Sequence, residues 1–76
     1  MGELVEYIAK SLVDNPEKVS VNEVESSKAV TIELRVADED MGKIIGKQGK
    51  IAKAIRTVVK AAAIKQNKRV VVEIVQ

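Results

Sequence analysis

The chain has 76 residues, 46% of them apolar and 1% aromatic, with a formal net charge of +2 and neither cysteine nor histidine. That length supports one domain over 1–76 with a modest single core, and the missing residue types exclude disulfides, thiolate metal sites and histidine-based acid–base catalysis. The small net charge conceals a polarity: residues 1–40 carry 4 basic and 10 acidic side chains, residues 41–76 carry 9 basic and 1 acidic, and nothing acidic lies between Met41 and Val72.

In chain order, Leu4, Val5, Ile8 and Leu12 recur at intervals of three and four and predict a helix over 3–14. Asn15-Pro16 ends it, because the residue before a proline is driven out of the helical region. Tyr7, the only aromatic, falls beside this stripe and is read as a packing residue. Met1 to Leu12 has no clean apolar run and reads as no signal peptide, and no 18-residue apolar stretch exists. A cytoplasmic protein with no membrane association is the expectation.

Residues 18–26 read as a strand in which Val19 and Val21 alternate and Val24 falls out of phase, which predicts a bulge near Asn22-Glu23. After the polar turn Ser26-Ser27-Lys28, a strand over 29–37 places Val30, Ile32, Leu34 and Val36 on one face and Thr31, Glu33 and Arg35 on the other. The two strands are expected to form an antiparallel hairpin with one wet face. Asp38-Glu39-Asp40 offers N-cap candidates for a short helix over 40–45 that Gly46 stops. A longer helix over 50–65 has Ile51, Ile55, Val58 and Ala62 as its core stripe, with Val59 and Ala63 beside that stripe and partly exposed. Gln66-Asn67-Lys68 turns the chain into a last strand over 69–75. The helical crossover between the strands at 29–37 and 69–75 suits parallel, right-handed neighbours. The fold class expected is α+β: α-β-β-α-α-β, a three-stranded mixed sheet with three helices on one face.

The chemistry concentrates in Asp40-Met41-Gly42-Lys43-Ile44-Ile45-Gly46-Lys47-Gln48-Gly49-Lys50-Ile51. Two glycines two residues apart let the backbone turn sharply and let a ligand lie close. A helix start follows and lysines surround it, which suits an anion. A nucleotide-hydrolysing P-loop is excluded: Gly42 to Gly46 is one residue short, and Gln48 stands where a magnesium-holding hydroxyl is needed. A dinucleotide fingerprint fails because Ile44 occupies its second glycine. Gly42 has a purely structural reading as a site of close helix packing. Of Ile44 and Ile45, one is expected in the core and the other on a groove floor. Lys53, Arg56 and Lys60 are equally readable as binding cations or as solvated helix charges.

An Ile-Gly-x-x-Gly turn between two helices, inside β-α-α-β and with a lysine within it, resembles the KH-domain signature, in which the loop clamps about four nucleotides. The helix and strand that precede this core match the type II KH domain, and the likeness spans the whole chain. With Asp14-Asn15-Pro16 and the glycine stretch, the chain more narrowly resembles the small bacterial KhpA (YlqC-type) RNA-binding family. With no histidine, no cysteine and no inward acidic pair in the basic half, no enzymatic activity, cofactor or metal is expected. The resemblance implies that single-stranded RNA crosses the loop, with Gly42, Lys43, Ile45, Gly46, Lys47, Gln48, Gly49, Lys50 and Lys53 as its contacts. Phosphates are expected against the N–H groups of residues 46–50, and bases in an aliphatic groove that includes Ile51 and strand valines. The roles implied are those of a post-transcriptional regulator or RNA chaperone tied to cell growth or cell shape. The family also implies a homodimer and a heteromer with a larger KH-containing partner of the KhpB or Jag type. For the dimer, the expected interface is Val59 and Ala63 on the long helix, with Val71 and Val75 on the last strand as the alternative. A protein-interaction module in which RNA is secondary is the competing reading.

Overall fold

A computed structural model describes residues 1–75. In order, the chain forms α1 (Gly2–Leu12), β1 (Ser20–Glu25), β2 (Ala29–Arg35), α2 (Met41–Ile45), α3 (Lys50–Ile64) and β3 (Arg69–Val75). Short 3-10 turns at Pro16–Lys18, Asp38–Asp40 and Lys47–Gly49 join them. The sheet order is β1-β2-β3, with β1 antiparallel and β3 parallel to β2. The mixed sheet expected from the sequence is present, with the helices packed on one face of it.

The inward face of the sheet follows from alternation. Val30, Ile32 and Leu34 are fully buried and stand beside Val70, Val72 and Ile74 in parallel register. Val5 and Ala9 of α1, Ile44 of α2, and Ala52, Ile55, Val59 and Ala63 of α3 close over them. Each fully buried aliphatic side chain contributes about 1.5–3 kcal/mol, and this cluster holds the helices in place. At the α3–β3 turn, Asn67 takes φ 56, and the N–H groups of Gln66 and Lys68 both donate to the Ala63 carbonyl. Asparagine tolerates that left-handed position, which ends the helix cleanly.

Several expectations are corrected. The core stripe of α3 is Ala52, Ile55, Val59 and Ala63, one step round from the one expected; Val58 is 47% exposed. Val59 and Ala63 are therefore core residues at 0% and 1% exposure and form no dimer interface in this fold. β1 carries no bulge: its register runs unbroken from Ser20 opposite Arg35 to Glu25 opposite Val30. Val24 is out of phase because it stands on the uncovered sheet face, 58% exposed, opposite Thr31. Tyr7 is 73% exposed and packs no core. Finally, α1 ends at Leu12 instead of at residue 14, because the N–H groups of Asp14 and Asn15 turn away to donate to the Asp40 carboxylate.

Candidate nucleic-acid interface

The turn between α2 and α3 owes its shape to three residues with positive φ: Gly46 at 74°, Gln48 at 59° and Gly49 at 75°. Gly46 also has ψ 175°, a combination open only to glycine. A Cβ there would lie 2.5 Å from Cγ1 of Ile51. Gly46 is thus required by the fold itself. Gly49 has ordinary left-handed angles, with ψ 11° and open space where a Cβ would stand. The sequence treats the two glycines alike; the structure separates them. Gly42 is likewise open, with nothing within 4 Å of a Cβ, so close helix packing is not its reason.

The loop has fewer available donors than expected. The Gly46 N–H donates to the Gly42 carbonyl at 2.8 Å, the Gly49 N–H to the Gly46 carbonyl at 3.2 Å, and the Lys50 N–H to the Lys47 carbonyl. Of residues 46–50, only Lys47 and Gln48 keep an uncommitted N–H among the described hydrogen bonds. Their side chains are exposed at the tip.

Behind the loop lies a polar node. Asp40, 1% exposed, accepts the Asp14 N–H at 3.2 Å, the Asn15 N–H at 3.0 Å and the Asn15 side-chain amide at 3.0 Å. It caps no helix through its side chain; it ties the α1–β1 connection to the start of α2. Burial alone would push its pKa up. The Asn15 amide, the two backbone donors and the Lys43 charge outweigh that, and the carboxyl sits below the ordinary range. Lys43 is ion-paired with Asp14. That hydrogen bond, opposed by burial and helped by the charges of Asp14 and Asp40, raises the lysine pKa. The cation expected to meet phosphate is thus already matched by a carboxylate.

α3 divides the remaining cations between two flanks. Lys53, Arg56 and Lys60 recur at three and four residues, and Arg56 and Lys60 line the flank that faces β3. Arg56 Nε donates to the Val72 carbonyl at 3.3 Å. Arg56 and Lys60 line, with Val70, Val71 and Val72, a cavity of about 240 Å³ between α3 and the edge of β3. Lys50 and Ile51 lie on the other flank, where they line an apolar cleft of about 310 Å³ with Ile8, Leu12, Ala54 and Val58. The structure therefore parts Lys50 from Arg56 and Lys60, and takes Ile51 away from the strand valines. Ile44 is fully buried and Ile45 is 38% exposed. Arg56 and Lys60 are the residues the sequence left undecided; their spacing from Lys53 was the available signal.

A family model described as KhpA/KhpB, KH domain, matches residues 2–74. The chain belongs to this family. Within the KhpA/KhpB family it is similar to the RNA-binding protein KhpA of Clostridium perfringens, with 72% identity over 75 residues that cover 99% of this chain and 100% of the relative. The RNA-binding protein KhpA of Caldanaerobacter subterraneus is 67% identical over 75 residues, again 99% and 100% of the two chains. That of Aquifex aeolicus is 54% identical over 76 residues, 100% of this chain and 96% of the relative. No solved structure matches the chain. The KhpA/KhpB KH fold thus brings Gly46, Lys47, Gln48 and Gly49 to the head of a basic flank. Among the described residues, no helix is long and apolar enough to cross a membrane, and no cluster of three or more acidic residues could hold a metal.

Proposed function

We propose that the chain binds single-stranded RNA without catalysing a reaction, by passing it over the Lys47-Gln48 tip and down the α3–β3 flank. One observation carries this: the two uncommitted N–H groups of the loop lie at the head of α3, whose β3-facing flank bears Arg56 and Lys60 with valines as its floor. Donors of that kind hold phosphate, and apolar floors accept base faces. With no aromatic on this flank to stack a base, affinity rests largely on phosphate contacts and falls in the micromolar range, roughly 10⁻⁴ to 10⁻⁶ M. The names of the KhpA relatives support the ligand class. The protein works in the cytoplasm, as a post-transcriptional regulator or RNA chaperone with effects on cell growth and shape. It self-associates, and pairs with a KhpB-type protein; a family model that joins KhpA with KhpB supports that partner.

The test is a titration against single-stranded RNA across salt. Log affinity falls against log salt with a slope of ~0.7 per phosphate contact, about 2 to 3.5 for three to five contacts. Replacing Lys47 and Gln48 with aspartate abolishes binding and leaves the circular dichroism spectrum unchanged. Undiminished affinity in that double variant removes the loop from the mechanism.

A further inference from the structure

The flank does not end at Lys60. A second cavity, also about 240 Å³, adjoins the first and shares Lys60 and Val70 with it. It lies about a turn of α3 further from the glycine loop, where α3 gives way to β3. Its lining is Lys60, Ala63, Ile64, Lys68, Arg69 and Val70, three cations and no acid. Lys68 pairs with Glu25 at 2.7 Å, whereas Lys60 and Arg69 take part in no ion pair among the described residues. Ala63 and Val70 form a buried floor, and Ile64 stands 73% exposed at the rim. The exposed Ile64 supplies an apolar wall beside two positive charges with no ion-pair partner among the described residues.

We propose that this second cavity is an additional nucleotide subsite, which takes a phosphodiester on Arg69 and Lys60 and a base against Ile64. The footprint of the chain on single-stranded RNA is then longer than the four nucleotides that a KH loop clamps. The inference rests on the RNA-binding reading and extends it. The continuity supports it: the two cavities share Lys60 and Val70, so a strand leaving the first along β3 enters the second directly. The base contact is aliphatic and carries no donor or acceptor pattern, so the subsite adds affinity and no sequence preference.

The experiment compares a four-nucleotide and a seven-nucleotide oligouridylate on the wild type and on the double variant Ile64→Ser, Arg69→Ala. Both substituted side chains are exposed, and the Arg69 N–H bond to the Lys28 carbonyl is backbone, so the fold is kept. The number of registers a longer oligomer offers is the same for both proteins and cancels. In the wild type the seven-mer gains over the four-mer by about fivefold more than in the variant, and its salt slope is steeper by ~0.7 to 1.4, the mark of one to two further phosphates. The variant binds the four-mer as the wild type does. An equal seven-mer gain in the two proteins overturns the subsite while leaving the loop mechanism standing. If neither oligomer binds the wild type, the RNA-binding reading itself falls. A variant with unchanged RNA binding but lost association with a protein partner would assign the cavity to protein and refute the subsite.

Discussion

At the scale of single residues, the node behind the loop governs how much of the nearby charge reaches a ligand. Asp14 is an exposed carboxylate paired with Lys43, and a phosphate approaching Lys43 must displace it. Asp14→Asn removes the competitor and keeps the backbone N–H that Asp40 accepts. It raises RNA affinity by roughly two- to fivefold, the range expected of an exposed ion pair, and Lys43→Met then costs more affinity in the Asp14→Asn background than in the wild type. Equal effects of Lys43→Met in both backgrounds would show that Asp14 exerts no such restraint. Asp40 acts on stability instead. Its folded pKa lies below that of an unfolded aspartate, about 3.9, so the unfolded state binds the extra proton in acid. The stabilisation is present above that value and is lost as pH falls through the folded pKa. Asp40→Asn lowers the melting temperature at neutral pH and flattens the acid limb of stability; thermal melts from neutral pH down to acid read both. A variant with the same acid limb as the wild type would place the titration elsewhere, for instance at Glu25, whose pKa its Lys68 partner also lowers.

At the scale of elements, the sequence resolves periods well and phases less well. β2 and β3 alternate with one face covered, and their strands and inward residues follow directly from the pattern. α3 is harder. Its aliphatic residues include both Val58 and Val59 and the run Ala61-Ala62-Ala63, so two stripes one residue apart fit the 3.6 period equally well. Only the packing against Ile32 and Leu34 selects the Val59 stripe. The two stripes make opposite forecasts. Val59→Glu buries an uncompensated carboxylate at a site with 0% exposure, a cost above ~4 kcal/mol against a total stability of about 5–15 kcal/mol, and the variant is unfolded by circular dichroism. Val58→Glu, at a half-exposed site, folds with a wild-type spectrum. A folded Val59→Glu would reinstate the other phase. β1 shows the same limit in another form, since a single out-of-phase valine looks alike whether it marks a bulge or an uncovered sheet face. The glycine pair was legible as a turn, but the clash of a Cβ with Ile51 at Gly46 and the tie from Asp14-Asn15 to Asp40 are tertiary facts with no local pattern.

At the scale of the molecule, α3 is a divider. One flank presents Arg56 and Lys60 toward β3; the other joins α1 in an apolar cleft where Leu12 and Val58 are 38% and 47% exposed. This division would let one small domain bind RNA and a second copy at once. With Val59 and Ala63 in the core, the self-association proposed above has two exposed apolar surfaces to use: this cleft, and the β3 face that carries Val71. Association through β3 would lie against the wall of the proposed RNA-binding flank, since Val71 itself lines its cavity. Association through the cleft leaves that flank open. It also sets two weak sites in one particle, where the second binds at a raised effective concentration and avidity exceeds either affinity. The cleft is therefore the expected surface. Sedimentation equilibrium shows a dimer for the wild type at high micromolar concentration and a monomer for Val58→Glu. The monomeric variant keeps wild-type affinity for a four-nucleotide oligomer, which occupies one site, and loses the avidity seen with RNA long enough to span two. A Val58→Glu protein that remains dimeric, with a Val71→Glu protein that does not, would transfer the interface to β3 and make self-association and RNA binding competitors.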